Sequence, residues 1–466
     1  NLRKLSRSAT MAGIDGGPRG RIVLFPLPFQ GHLSPMLQLA DVLHGRGLAI
    51  TILHTTFNAP DPASHPEFAF VTVPDGLQDA VAAPKDGIGK ILSMNAAMEA
   101  SGCVRDALAS ILSAEPRPAC LVIDTSLPAV QKAASALGLP TIVLHTGSAA
   151  VVRLFRSYAM LHEKGYLPAQ EHELNRPVKE LPPIRVSDLF DPSKYPNQET
   201  ANKILDIATE TTAKSSGIVI NTFEALEIPE LEALREELSL SGISVFAMGP
   251  LHKLSTIGDA SSLLEQDHSC IEWLDTQAAG TVLYVSFGSV VPVHRDDFNE
   301  VAWGLANSGK PFLWVVRHGL IVGSQDTELP DGFEGAVESR GKVVRWAPQQ
   351  EVLAHPAVGG FWTHNGWNST LESICEGVPM LCRPLFGDQL ANGRYVEDVW
   401  KIGTLLVGKL ERGKIEQAIA RLMEHEDGTA MRERAKKLKM KAVMCLKNTE
   451  STQLAEDMLV DHILSL

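Results

Sequence analysis

Residues 346–389, WAPQQEVLAHPAVGGFWTHNGWNSTLESICEGVPMLCRPLFGDQ, gather aromatics, a histidine and several small polar residues into one unbroken block. Within it VGGFWTH (358–364) reads as a buried strand. Gly366, Trp367, Asn368, Ser369 and Thr370 then open a helix that continues through Leu371, Glu372 and Ile374 and stops at Gly377 and Pro379. A helix that starts at the C-terminal end of a strand aims unpaired N–H groups and its positive dipole end at whatever lies beyond the sheet, which suits a phosphate or diphosphate. His364, just before that opening, adds a side-chain donor.

Working outward, the same strand-then-helix alternation recurs on both sides. TVLYVSFGS (281–289), PFLWVVR (311–317), KVVRWAP (342–348) and VPMLCRP (378–384) form one series with the block. RIVLFPLP (21–28), LAITIL (48–53), FAFVTV (68–73), CLVID (120–124), TIVLHT (141–146) and GIVINT (217–222) form another. Alternation of this kind argues for parallel sheets covered by helices, hence an α/β chain of two Rossmann-like halves. After RIVLFPLP, Pro35 is expected in the first turn of a helix whose Met36, Leu39, Ala40 and Leu43 recur at helical spacing before Gly45 and Gly47. LHKLSTIGDASSLLEQDHS (251–269) has weak periodicity and many small polar residues, and reads as a connector. The expected division is 11–250, a linker at 251–278, a second domain at 279–440 and a final helical segment at 441–466, with residues 1–10 ahead of Met11 set aside.

A chain of 466 residues is too long for one ordinary core, and 44% hydrophobic with 21% charged residues describes a globular protein. A net charge of −13 without any dense Lys/Arg block argues against nucleic acid or anionic membrane as the main partner. It leaves room for an anionic small ligand at a helix N-terminus. Cys103, Cys120, Cys270, Cys375, Cys382 and Cys445 are scattered with no CxxC pair, which reads as reduced thiols and a cytoplasmic setting. No apolar run reaches membrane-spanning length, and no secretory h-region is seen.

The 346–389 block, from its Trp-Ala-Pro-Gln opening to its Asp-Gln close, resembles the C-terminal signature of plant family 1 UDP-glycosyltransferases. The resemblance implies the GT-B fold, two Rossmann-like domains facing across a cleft, with the last helix crossing back to pack on the first domain. It implies that Trp346 stacks on uracil beside Ala347, that Gln349 and Glu372 hold the ribose hydroxyls, and that His364, Asn368 and Ser369 bind the diphosphate with backbone N–H groups near Gly288 and Ser289. Trp367, Asp388 and Gln389 would contact the sugar. Each role suits its residue type: an indole offers a flat π-face, a carboxylate accepts two hydroxyls, and an imidazole with helix N–H groups meets a diphosphate.

His32 stands in the first loop after the first strand and Asp124 closes the strand CLVID, so both belong at one edge of the first sheet. From the residues alone they read first as an exposed loop histidine and a turn-capping carboxylate. The resemblance makes His32 the catalytic base and Asp124 the acid that orients it. Thr146, at the end of TIVLHT, either contacts the donor sugar or its phosphate, as its family position suggests, or bonds the nearby backbone. The implied reaction is an inverting transfer of a sugar from UDP-glucose to a hydroxyl, giving a β-glucoside. Gln389 at the end of the block resembles members that use glucose. No D-x-D motif occurs in the chain, so no obligatory metal and no cofactor beyond the co-substrate are expected.

The acceptor is expected against Phe29, the 85–100 segment around Met94, residues 145–160, and LPPIRVSDLF (181–190), with Phe190 and Phe386. These stretches are mostly aliphatic, favouring a small apolar hydroxylated metabolite: a phenolic, terpenoid, benzoxazinoid or hormone. Thr125, Ser126 and Leu127 stand where relatives often carry an aromatic, so relatives are a poor guide to the acceptor. A monomer is expected. Rival classes find little support, since no strand is followed by G-x-G-x-x-G, and the G-x-S-x-G and H-E-x-x-H motifs are absent. A non-catalytic UDP-sugar binder would keep the block and lose the base, which this chain retains.

Overall fold

The structure is a computed structural model that describes residues 17–73, 87–258, 262–290, 292–323, 328–447 and 452–466. The set-aside residues 1–10, the first residues of the 11–250 domain, residues 85–86 of the acceptor stretch, 259–261 of the connector and 448–451 lie outside the described residues. Two compact units result: residues 17–149 with 197–263 and 452–466, and residues 150–196 with 264–447.

In the first unit the apolar runs become β1 (Gly20–Phe25), β2 (Leu48–His54), β3 (Ala69–Thr72), β4 (Leu121–Asp124), β5 (Thr141–His145), β6 (Gly217–Ile220) and β7 (Ser244–Ala247). They form one sheet in the order β3-β2-β1-β4-β5-β6-β7, parallel throughout. Strands covered on both faces must be apolar on both, which is why β1, β4, β5 and β6 read as unbroken hydrophobic runs rather than alternating ones. Val23, Phe25, Ile123 and Val143 are fully buried in one core cluster. Strand order reverses between β1 and β4, and at such a reversal the loops leaving the two strands diverge and open a crevice at their C-terminal ends. Phe25 pairs with Ile123 in register. The loop to His32 and the carboxylate of Asp124 therefore come off the sheet side by side.

The helix after β1 runs Gln30–His44, with Pro35 inside it rather than in its first turn. The carbonyl of Phe29 accepts the N–H groups of His32 (2.9 Å) and Leu33 (2.8 Å), which closes the first turn before the proline is reached. Pro35 then only removes one later backbone bond.

The second unit repeats the scheme with β8 (Val282–Ser286), β9 (Phe312–Val315), β10 (Gly341–Val344), β11 (Val358–Thr363), β12 (Met380–Cys382) and β13 (Gly403–Leu405), in the order β10-β9-β8-β11-β12-β13. Its pairings are also all parallel. The reversal here falls between β8 and β11, so the loop at Gly288 and the turn at His364 share one edge. Trp314 and Trp362 fill this core, the latter edge-on to Phe287 at 5.4 Å. The helix Trp367–Glu376 follows β11, starts from Gly366 and ends at Gly377, whose φ of +70° is the left-handed closing turn.

Compactness divides the chain differently from the sequence reading in three places. Residues 150–196, inside the expected first domain, count with the second unit. The expected linker contains two short helices: Leu251–Leu254 packs on Gln30–His44, where Asp41 accepts from Ser255 Oγ (3.0 Å) and the Thr256 N–H (2.6 Å), while Ser269–Asp275 belongs to the second unit. Helix Glu426–Lys447 continues past 440 within the second unit because Ala442 and Cys445 extend the buried face begun by Ala435 and Leu438.

The helix Thr452–Ser465 belongs to the first unit and packs on β7. His462 lies 5.4 Å from the Phe246 ring and 3.3 Å from Ser216 Oγ, and Leu459, Val460 and Ile463 are buried. Substituting Ile463→Ala removes a fully buried side chain. The expected cost is about 2–5 kcal/mol of unfolding free energy, read as a lowered denaturation midpoint in urea or heat.

Candidate active site

In the first unit the reversal point holds a histidine–carboxylate pair. His32 Nδ1 lies 2.7 Å from Asp124 Oδ2, with the Asp124 side chain fully buried and that of His32 29% exposed. Burial by itself would raise the Asp124 pKa, but the facing imidazole and the Ser126 N–H on Oδ1 (2.9 Å) outweigh it and hold the carboxyl below its ordinary value. Thr146 Oγ1 sits 3.2 Å from the same imidazole nitrogen. Nδ1 is thus the ring nitrogen turned to the carboxylate, an arrangement that orients the imidazole. Behind them His145 is buried, and loss of water lowers its pKa to about 4 despite the attraction of Asp124. It is therefore neutral at pH 7, with Nδ1 accepting the Gly147 N–H at 3.1 Å.

In the second unit His364 is framed by two glycines. A Cβ on Gly288 or on Gly366 would lie 2.5 Å from His364 Nε2, closer than any real side-chain contact, so neither position tolerates one without moving the ring. Gly288 also has φ +75°. The opening of Trp367–Glu376, with half-buried Asn368 and Ser369, lies directly after this ring. Loss of water around the His364 ring is the largest cause of its lowered pKa, about 4, and the Arg317 guanidinium pushes the same way. A neutral imidazole and a nearby cation thus share this edge. Arg317 Nε donates to the Gly288 carbonyl at 2.9 Å and fixes that loop.

Five residues lock one another where a ribose is expected. Gln349 Nε2 donates to Ser369 Oγ (2.9 Å) and Glu372 Oε2 (2.7 Å), and its carbonyl accepts from Tyr284 Oη (3.2 Å). Gln350 Nε2 reaches the other Glu372 oxygen at 3.4 Å. Trp346 is half-buried, its carbonyl accepting the Asp267 N–H at 2.9 Å, and Ala347 is buried beside it. Asp388 accepts from Asn392 Nδ2 at 3.0 Å. Gln389 Oε1 takes the N–H groups of Leu385 (2.9 Å) and Phe386 (3.2 Å), so the side-chain NH2 is what it can present to a ligand.

Some expected contacts take another form. The Trp367 indole is 2% exposed and packs against Trp400. Met94 is fully buried in the first core and packs there rather than facing an acceptor. Phe29 is half-buried and edge-on to Phe57 at 6.1 Å, and Phe190 meets Phe386 edge-on at 5.5 Å. Among the described residues no three of His, Cys, Asp or Glu come together as metal ligands would, and no helix is long and apolar enough to cross a membrane.

Residues 216–437 match the family described as "UDP-glucoronosyl and UDP-glucosyl transferase". DIMBOA UDP-glucosyltransferase BX9 of Zea mays is 46% identical over 91% of this chain and 92% of its own length. UDP-glycosyltransferase 76B1 of Arabidopsis thaliana is 43% identical over 95% and 98%. This chain belongs to the plant UDP-glycosyltransferases. A solved structure, Phytolacca americana UGT2 with UDP-2fluoro-glucose and pterostilbene, superposes with a TM-score of 0.79 at 29% identity, covering 96% of this chain and all of that one. The UDP-glycosyltransferase fold of this chain is accordingly GT-B, each unit a parallel α/β sheet with one strand-order reversal.

Sequence reasoning missed four supporting residues of this glycosyltransferase. Tyr284 is a buried strand tyrosine, whose hydroxyl had to find a partner. Arg317 lies two residues beyond the end of β9, at the C-terminal edge of the sheet. Asn365 adopts φ +63° in the turn between His364 and Gly366, and its Nδ2 bonds Cys382 Sγ at 3.2 Å. His145 gave no signal beyond its place at a strand end.

Two outcomes are expected. Gly288→Ala and Gly366→Ala, which crowd His364, should each weaken UDP binding at least about tenfold, or about 1.4 kcal/mol, by calorimetry. For His145, the folded pKa of about 4 lies below the ordinary value of 6.5, so between these pH values the unfolded chain binds a proton that the folded one does not. Stability from this group is complete above pH 6.5 and lost as pH falls toward 4. His145→Gln should flatten the fall in melting temperature across that window.

Proposed function

We propose that the protein transfers glucose from UDP-glucose to a hydroxyl of a small apolar plant metabolite, with inversion at the anomeric carbon and without a metal. The observation that carries the reading is the 2.7 Å bond from His32 Nδ1 to the buried Asp124 carboxylate, and in this reading Nε2 is the base. That base takes the acceptor proton while the acceptor oxygen attacks the anomeric carbon opposite UDP. The C–O bond to UDP breaks as the new one forms, turning an α-linked donor into a β-glucoside. Asp124, ionised at pH 7, stabilises the imidazolium as it appears. The charge growing on UDP is met by the opening N–H groups of Trp367–Glu376, by the loop at Gly288 and Ser289, and by the Arg317 cation behind it. Trp346 takes the uracil, and Gln349 and Glu372 the ribose. Asp388, Gln389 and Thr146 take the sugar.

The half-exposed Phe29 and the Phe190–Phe386 pair support an apolar acceptor. The name of the maize relative puts a benzoxazinoid hydroxyl first among candidates, ahead of phenolics, terpenoids and hormones. The six free cysteines fit a working protein in the cytoplasm, and the reading takes it to be a monomer.

The test is incubation with UDP-glucose, with and without EDTA, and a panel of benzoxazinoid, phenolic, terpenoid and cytokinin acceptors, followed by mass spectrometry for an added hexose. A β-glucoside formed equally in EDTA is expected. His32→Ala should cut turnover about 10²–10⁴-fold while UDP still binds. Unchanged turnover would remove His32 as the base, and loss of product in EDTA would remove the metal-free mechanism.

A further inference from the structure

The stretch 150–196 is fastened to the donor-side unit by a buried ion pair that none of the chemistry above employs. Arg394 Nε donates to Asp188 Oδ2 at 2.9 Å and Nη2 to Oδ1 at 3.2 Å, a two-pronged bridge with side chains 8% and 6% exposed. Around it the polar groups close on one another. Asp188 Oδ2 also accepts the Arg185 N–H at 2.9 Å, and Arg185 Nη2 reaches Asp398 at 3.4 Å. Arg394 Nη1 reaches Glu397 at 3.2 Å and Asp398 at 3.4 Å. Glu397 in turn accepts the Leu405 N–H of β13 at 2.8 Å, so the network is anchored to the sheet.

The placement of the two partners is what gives the bridge a meaning. Arg394 ends the helix Asp388–Arg394, whose first two residues are the proposed sugar contacts Asp388 and Gln389. A one-turn π-helix, Tyr395–Val399, begins immediately after it, an arrangement that inserts an extra residue and is concentrated at functional sites. Asp188 lies two residues before Phe190, whose ring meets Phe386 at 5.5 Å and whose carbonyl accepts from Tyr158 Oη at 2.9 Å. Phe386 is itself placed by its N–H on Gln389 Oε1. One side chain, Gln389, therefore both heads the sugar-contacting helix and positions half of the aromatic pair.

A buried ion pair is a poor source of stability, because desolvation consumes most of its attraction, and its best-attested use is to fix one arrangement among several. We propose that Asp188–Arg394 is a positioning pair that holds the acceptor-facing segment around Phe190 in register with the sugar-contacting residues Asp388 and Gln389. It thereby sets acceptor affinity and which hydroxyl is glucosylated, while leaving UDP binding to the rest of the second unit. This rests on the glucosyl-transfer reading above.

The test compares wild type with Asp188→Asn, which keeps shape and loses charge, and with the double variant Asp188→Leu/Arg394→Met, which removes both charges so that neither is stranded. Each is assayed with UDP-glucose and whichever panel acceptor gives wild type the most product, alongside UDP calorimetry and a melting curve. The expected result is an acceptor KM raised at least about tenfold (about 1.4 kcal/mol) or an altered ratio of glucoside isomers. UDP affinity should remain within about twofold (about 0.4 kcal/mol) in whichever variant melts near wild type. An active wild type with a folded variant of unchanged acceptor KM and isomer ratio overturns the pairing, as does an equal loss of UDP and acceptor binding. If both variants melt far below wild type, the pair is a stability element and the proposal falls. A wild type silent on the whole panel instead overturns the glucosyl-transfer reading and carries this inference down with it.

Discussion

A carboxylate with no access to water has to find its partners inside the protein, and Asp124 finds two: the His32 ring and the Ser126 N–H. The first unit is arranged so that this is possible. The reversal of strand order puts β1 next to β4, the Phe25–Ile123 register brings their ends level, and the short turn at Phe29 swings His32 over the strand end. Moving any of these by one residue would strand a buried charge. The geometry of the His32–Asp124 pair is thus a by-product of satisfying that charge.

The second unit reaches its ligand edge by subtraction. At the corresponding reversal, between β8 and β11, the chain withholds side chains at Gly288 and Gly366 so that an imidazole fits between two backbones. Rigidity comes from side chains that serve each other: Gln349 spans Tyr284, Ser369 and Glu372, and Arg317 pins the carbonyl of Gly288. Polar groups held this way lose little freedom when a nucleotide arrives, which is the condition for recognising one without reorganisation.

Much of this was legible in the sequence. Unbroken apolar runs separated by helical stretches announced two parallel sheets, because strands buried on both faces cannot alternate. The edge strands β7 and β13 were not read as strands. The block from Trp346 to Gln389 stood out because its aromatic and polar residues are contiguous, and the strand-end positions of His32 and Asp124 put them at one sheet edge, where the structure pairs them. Supporting residues were not legible: Arg317, Asn365 and Arg394 act through partners far away in the chain, and nothing local to them marks the pairing. Met94 went the other way, since residue type alone does not distinguish a pocket wall from a packed core.

The interleaving of the two units bears on recombination between relatives. A natural place to join the front of one glycosyltransferase to the back of another is the connector following Pro250. Residues 150–196 lie before that seam in the chain but fold with what comes after it, and the final helix does the reverse. A hybrid cut there inherits Asp188 from one parent and Arg394 from the other, and β7 from one and its covering helix from the other. Parents that agree at those few interior matches should exchange halves freely, however much their surfaces differ.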